Sequence, residues 1–431
     1  MKRIIDEQLV NWKNRKRRKP LILRGARQVG KTYSLKYFGN SNFDDTIFID
    51  FEKIPKYVSI FDTDFDSRRI IREIEILTQK RLIPGKTLLI FDEIQLAPRA
   101  ITSLRYFYEE APEIHVIAAG SLLEFAFSQI SVPVGRVQFM FMYPMNFYEF
   151  LLANNYNELA KILKEKPQKL STVIHNKLLT ELKNYFFTGG MPECVKTFVE
   201  SNNFIETNEV LSEIINSFKL DFAKYTPRID INCLTETFNM VSKSIGQQIK
   251  YSRLSSYFSV PTIKKALFLL EKARLVKIAY SVNPPNLPLN FSTKKNIFKA
   301  VFLDIGLMQH ISGIDYGEEF TKAELLNIYN GALAEQFVGQ ELFMAKNDEI
   351  FYWSRQAKSS NAEVDFITQS NNYIYGVEVK SSASGSLKSL HLLLKENPKI
   401  KEGIVFSSRE FSVIPEQRLR FIPIYYAGSE I

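Results

Sequence analysis

Short, nearly unbroken apolar runs alternate with amphipathic stretches through the first 150 residues. The runs are Pro20–Leu23, Thr46–Phe51, Thr87–Phe91, Ile114–Ala119 and Val137–Tyr143. Runs without polar alternation suit strands buried on both faces of a parallel sheet, and the segments between them suit crossover helices. This rhythm predicts a three-layer α/β domain over residues 1–150. From about 151 to 235 the pattern turns helical (Asn157–Lys166, Val173–Phe187, Asn208–Lys219), interrupted by the breaker run Thr188–Glu193. Over 236–325 helices give way to strand-like pieces, Leu275–Ser281 and Ile297–Leu303, around a proline-rich loop at Asn283–Pro288. Over 326–431 a helix at Ile328–Ala345 precedes the strands Ile350–Ser354, Ala362–Thr368, Tyr373–Lys380 and Lys401–Ser407. The polar loop Gln369–Asn372 joins two of these as a hairpin.

Composition narrows the class. The chain has 431 residues, 45% hydrophobic and 24% charged. It is long enough for about two to four domains, and it is not disordered, collagenous or coiled-coil in composition. Cys194 and Cys233 are too far apart for a CxxC pattern, and the four scattered histidines form no HExxH site. The most apolar stretch is broken by Gln138, Pro144, Asn146 and Glu149, so no membrane span is expected. The N-terminus is charged without an apolar core, which does not read as a signal peptide, and a cytoplasmic location is expected. The net charge of +9 is local: residues 1–40 carry +10 and the other 391 sum to −1. A second basic island, 246–280, carries +6. Each island is either a solvated face or a surface for DNA or RNA.

Residues 25–32 read GARQVGKT, after an apolar strand and before a helical segment. This fits a phosphate loop at every fixed position. Gly25 and Gly30 let the backbone wrap a phosphate, with Ala26, Arg27, Gln28 and Val29 offering N–H groups. The following helix adds its positive end. Lys31 neutralises the β/γ-phosphates of ATP and Thr32 offers a hydroxyl to Mg²⁺. About sixty residues on, TLLIFDEIQ ends an apolar strand in two acids. Asp92 is the candidate Mg²⁺ partner and Glu93 the candidate base that polarises the attacking water.

GARQVGKT, LLIFDEIQ, IAAGSLLEF and VGRVQFMFMYPMNFYEFL, in that order, resemble the bacterial and archaeal AAA-type ATPases that carry a C-terminal domain of unknown function. FFTGGMPECV and the EVDF…EVK pair extend the resemblance over nearly the whole chain. It implies a sheet in which the strand before Ser121 lies between the two motif strands. It makes Ser121 a sensor of the γ-phosphate and Arg136 a candidate arginine finger or sensor, against the competing reading of a structural arginine that caps a strand. The expected architecture is thus a P-loop NTPase parallel-sheet domain (1–150), a helical lid (151–235), a winged helix (236–325) and an α/β nuclease-like domain (326–431).

Two further sites follow from pattern. Tyr251–Val276 has helix-turn-helix spacing, from a helix SRLSSYF to a second helix from Thr262. Ile263, Ala266, Leu267, Leu270 and Ala273 form its apolar face, Thr262 is an N-cap or phosphate contact, and Lys264 and Lys265 sit in its first turn. This segment contacts DNA or takes an interdomain or partner role, and the chain as a whole is open to a protein partner or a homo-oligomer. In the tail, period-2 alternation puts Glu378 and Lys380 on one face of a strand, and Asp365 can come from its neighbour. Two carboxylates and a lysine so placed would bind Mg²⁺ and activate water. The set resembles the PD-(D/E)xK nuclease core, with Glu335 as the extra acid on the preceding helix. No proline precedes Asp365. A working nuclease, a degenerate nuclease-like fold and an ordinary charged hairpin all remain open. If the tail cuts nothing, the chain reads instead as a nucleotide-dependent signalling or docking scaffold.

Overall fold

The computed structural model describes residues 1–121, 123–127, 133–225, 229–314, 331–346, 350–356, 361–380 and 387–429. Its contacts divide the chain into two units, Met1–Tyr143 and Pro144–Ile431.

In the first unit the apolar runs become β1 (Leu21–Arg24), β2 (Asp45–Asp50), β3 (Thr87–Asp92), β4 (His115–Gly120) and β5 (Gln138–Phe141). They form one parallel sheet in the order β2-β3-β4-β1-β5. Every residue of β3 and β4 is buried, which explains their unbroken apolar runs. β2 lies at an edge and only alternate residues are buried. The helices are α1 (Ile4–Lys13), α2 (Lys31–Asn42), α3 (Ser67–Thr78), α4 (Pro98–Glu110) and α5 (Leu123–Ala126). Phe61 and Phe107 pack edge-on against Phe91 of β3, with ring centroids 5.6 and 6.1 Å apart. The strand order places β4 between β1 and β3, the arrangement the resemblance implied. Parallel strands deliver their C-terminal ends to one edge, where such sheets bind ligands.

The second unit opens with helices: α6 (Phe147–Ala153), α7 (Asn157–Lys164), α8 (Thr172–Thr188), α9 (Pro192–Ser201), α10 (Phe204–Asp221) and α11 (Ile231–Lys243). Then come β6 (Ile249–Lys250), α12 (Val260–Lys272), β7 (Val276–Val282), β8 (Thr293–Phe302) and α13 (Ile305–Ile311). The tail holds α14 (Ala332–Lys346), β9 (Phe351–Gln356), β10 (Asn361–Ser370), β11 (Tyr373–Val379), α15 (Lys388–Glu396), β12 (Ile400–Ser407), β13 (Ser412–Ile414) and β14 (Leu419–Pro423). Among the described residues these strands form one sheet, ordered β13-β14-β12-β11-β10-β9-β7-β8-β6. β7 pairs in parallel with β9 through Tyr280↔Phe351 and Ser281↔Tyr352. The segments expected as separate 236–325 and 326–431 domains therefore share a sheet. Strand pairing across a boundary leaves no signal in local sequence pattern. The expected boundary itself, like the start of the expected helix at 328, lies outside the described residues.

Two local details differ from expectation. The predicted helix SRLSSYF is only a 3-10 turn at Tyr251–Arg253. Ser255 Oγ accepts from the N–H groups of Tyr257 and Phe258, at 3.0 and 3.3 Å, in competition with helical bonds. α12 starts at Val260, two residues early, because Ser259 rather than Thr262 is its N-cap. Its predicted apolar face is buried throughout.

The TGG turn after α8 has a specific anchor. Buried Asp304 caps α13 by accepting from Leu307 N (3.1 Å) and also accepts from Gly190 N (2.6 Å). Gly189 has φ +72°, and a Cβ there would fall 2.3 Å from Asp304 Oδ1. Among the described residues no helix is long and apolar enough to cross a membrane.

Candidate nucleotide site and acid cluster

The GARQVGKT segment leaves the C-terminal end of β1 and enters α2. Gly30 is in the left-handed region at φ 94°, as is Gln28 at 63°. Gly25 is packed so closely that a Cβ would lie 2.2 Å from the Met142 carbonyl oxygen. Arg3 donates to the carbonyls of Val29 (3.0 Å) and Tyr143 (2.7 Å), pinning the loop from behind. Ala26 and Val29 are buried, and Arg27 and Gln28 are more open.

Lys31 is buried and donates to the carbonyls of Gly25 (3.0 Å) and Ala26 (2.7 Å). Burial pulls its pKa down to about 8, against the attraction of Glu93, Asp92 and Glu124. Thr32 Oγ1 donates to Asp92 Oδ2 at 2.7 Å, so the two motifs meet directly. Burial raises the Asp92 carboxyl, and Asp50, its register partner on β2, adds to the shift. Glu93 follows with φ 49°, a left-handed conformation that costs a non-glycine residue about 1 kcal/mol or more. Burial raises its carboxyl too, while a hydrogen bond from Gln95 Nε2 opposes the rise. A Cβ on Gly120 would meet Gln95 Oε1 at 2.2 Å, so Gln95 is wedged between Glu93 and the end of β4. Sequence reading gave Gln95 no role, because neither motif fixes its position. Ser121 is buried directly after β4, on the edge that carries the loop.

Arg136 stands elsewhere. It precedes β5, and β5 runs parallel to β1, so it emerges at the N-terminal edge, the sheet's length from the loop. Its Nε donates to Glu109 Oε1 at 2.8 Å and its side chain is 47% exposed. The sensor reading within one chain is thereby corrected: strand direction separates Arg136 from the loop that precedes α2.

In the second unit the four tail residues come near one another, in company that the sequence reading missed. Lys299 of β8 is 2% exposed, and its ammonium lies 2.5 Å from Glu335 (α14), 2.7 Å from Glu363 and 3.2 Å from Asp365 (both β10). Burial alone would lower its pKa, but Glu335, Asp365 and Glu363 hold it well above the usual lysine value. Asp365 Oδ2 accepts from Val379 N at 2.9 Å. Glu378 pairs with Lys380 at 2.5 Å, and burial, with the charge of Asp365, pushes its carboxyl up to about 8. Burial pushes Glu335 up to about 7 against the pull of Lys299. The missed residues did leave a trace. Glu363 shares a strand face with Asp365, and Lys299 interrupts the apolar run of β8.

Hydroxyl and carboxylate oxygens at Thr32 and Asp92 are donors that suit a hard cation. The tail differs. Among the described residues no group of three or more His, Cys, Asp or Glu side chains could hold a metal ion. The metal set expected at Glu335, Asp365 and Glu378 does not fit, because a lysine ammonium already lies among these acids.

Residues 17–151 match a family model described as an AAA domain. Residues 179–318 match a domain of unknown function, DUF8612, and residues 330–426 another, DUF4143. No curated protein matches the sequence. Among solved structures, a Walker-type ATPase of Pyrococcus abyssi is similar at 15% identity, over 72% of this chain and 95% of that one, with a TM-score of 0.44. The ORC1 protein of Aeropyrum pernix in complex with DNA matches at 11% identity over 72% and 90%, with a TM-score of 0.30. AMPPCP-bound DnaA from Aquifex aeolicus matches at 13% over 63% and 87%, with a TM-score of 0.28. At these scores the likenesses carry nothing about activity. Residues 17–151 thus combine the match to the AAA domain model with a parallel five-stranded sheet and the GARQVGKT loop, the features of a P-loop domain of the AAA type.

Proposed function

We propose that this chain binds ATP at Gly25–Thr32, hydrolyses it slowly, and uses the change to switch its C-terminal half. The observation that carries the reading is the 2.7 Å bond from Thr32 to Asp92, which joins the loop to the acidic end of β3. Lys31 exchanges its two carbonyl partners for the β/γ-phosphates, which favour its charged form. Thr32 and Asp92 would hold Mg²⁺, which supplies charge neutralisation at the phosphates. Glu93, oriented by Gln95, accepts the proton of the attacking water. Ser121 senses the γ-phosphate from the end of β4. Arg136 acts as a finger only across a contact between two copies of the chain.

Exposed Lys264 and Lys265 on α12 and the basic N-terminal tract would meet DNA or RNA through phosphates. A second reading, a nucleotide-dependent docking scaffold with an inactive nuclease-like tail, is favoured for the tail by Lys299 among its acids. The experiment is ATP turnover with and without added DNA or RNA, beside a cleavage assay in Mn²⁺. Turnover lost in Lys31→Ala supports the switch. Turnover that nucleic acid changes supports a nucleic-acid partner, and the absence of cleavage supports the scaffold tail. Turnover that persists in Lys31→Ala refutes the assignment of the loop.

A further inference from the structure

The cluster around Lys299 sets carboxylate oxygens, the donor type that hard cations prefer, around a lysine ammonium instead. Three carboxylates from two elements touch one ammonium: Glu335 on α14, and Glu363 and Asp365 on β10. An ammonium has three N–H donors, so these contacts use them all. Lys299 is 2% exposed and can neither leave for solvent nor attack a substrate. Asp365 is committed on both oxygens, to Lys299 through Oδ1 and to Val379 N through Oδ2. A fourth acid, Glu378, is 95% buried beside them, and among the described residues its Oε2 has no hydrogen-bond partner. Such an oxygen is free to take a cation that Lys299 now keeps out. Glu378's other oxygen is held by Lys380.

We propose that Lys299 is a resident cation standing where a divalent metal would sit, that it closes the acid cluster to Mg²⁺ and Mn²⁺, and that removing its charge opens a divalent-cation site there. The proposal rests on reading these strands as a nuclease-like core, and it accounts for why such a core would not cut. The physical ground is competition. A lysine ammonium is a compact point charge, and here it is tethered at its ligands. An incoming ion must displace three charge-assisted bonds and strand a buried ammonium. With Lys299 made neutral, the four acids keep Lys380 as their one cation among the described residues, and a hard cation with oxygen ligands is the remedy.

The test counts bound Mn²⁺ by electron paramagnetic resonance in the full, nucleotide-free chain. Wild type and Asp365→Asn should bind the same number of ions. Lys299→Met should bind one more, and Lys299→Met with Asp365→Asn should lose it. Because Lys299→Met leaves excess buried charge, Lys299→Met with Glu335→Gln serves as a second variant in which one acid is neutralised as well. It should also gain an ion. Wild-type Mn²⁺ binding that Asp365→Asn removes would overturn the proposal, and this comparison needs no Lys299 variant to fold. A folded Lys299 variant with no extra ion would overturn it too, while leaving the inactive-tail reading intact. Mn²⁺-dependent cleavage by wild type that Asp365→Ala abolishes would sink both.

Discussion

Replacing Lys31 with Met should have opposite effects on stability and on binding. Burial takes the Lys31 pKa from 10.5 to about 8. At about 1.4 kcal/mol per tenfold change, the buried charge costs the nucleotide-free fold about 3 kcal/mol at pH 7. The folded pKa lies below the unfolded one, so this cost is complete below about pH 8. It fades as pH rises toward 10.5, where only the unfolded chain still holds the proton. Met keeps the volume and removes the charge, but it leaves the Gly25 and Ala26 carbonyls without their donor, at about 1 kcal/mol each. The nucleotide-free variant should therefore be as stable as wild type or about 1 kcal/mol more stable. ATP should no longer protect it. The assay is urea unfolding followed by Trp12 fluorescence in a Trp353→Phe background, at pH 7, with and without Mg-ATP. A nucleotide-free variant weakened by about 2 kcal/mol or more, or ATP protection equal to wild type, would refute the reasoning.

Three other outcomes can be checked. Burial, with the charge of Glu149, pushes Glu341 up to about 8, while Phe147 N donates to it at 3.0 Å. Wild type should therefore lose stability as pH rises from about 4.5 to 8. Glu341→Gln should match it near pH 5 and exceed it near pH 9 by about 4 kcal/mol in urea titrations, and equal pH profiles would contradict this. Asp304→Ala strips acceptors from the N–H groups of Gly190 and Leu307 and should cost about 3 kcal/mol of stability in denaturant melts; a loss under about 1 kcal/mol would show the anchor to be dispensable. In the five-cation tract Arg15–Lys19, Arg15 holds Gln138 and Arg18 holds the Pro112 carbonyl; of the other three, Lys16 and Arg17 line an open pocket. Replacing those two with Ser should flatten the log–log salt dependence of DNA or RNA binding by about two; an unchanged slope would make the tract a solvated face.

The first unit was largely legible because its chemistry is local. Glycines at 25 and 30, Lys31 and Thr32 must be contiguous to form the loop, and strands buried on both faces announce themselves as apolar runs. Arg136 was misplaced because motif order carries no strand direction: only the parallel pairing of β1 with β5 separates their two ends. The tail was legible in part. Alternation put Glu378 beside Lys380, yet nothing local joins Lys299 on β8 to Glu363 and Asp365 on β10, 64 and 66 positions away. Ser255 and Ser259 misled at the helix-turn-helix, where a hydroxyl acceptor turned an expected helix into a 3-10 turn and moved the start of the next one.

The central claim is that Glu93, at the end of β3 beside the Thr32–Asp92 pair, drives ATP hydrolysis. Phosphate release by the full chain in Mg-ATP, comparing wild type with Glu93→Gln, tests it most directly. The substitution keeps size and hydrogen bonding but removes the carboxylate that takes the proton. ATP should remain bound while kcat falls by about a hundredfold or more. Equal turnover in the two proteins, or no turnover in wild type under any nucleotide and metal condition, would contradict the account.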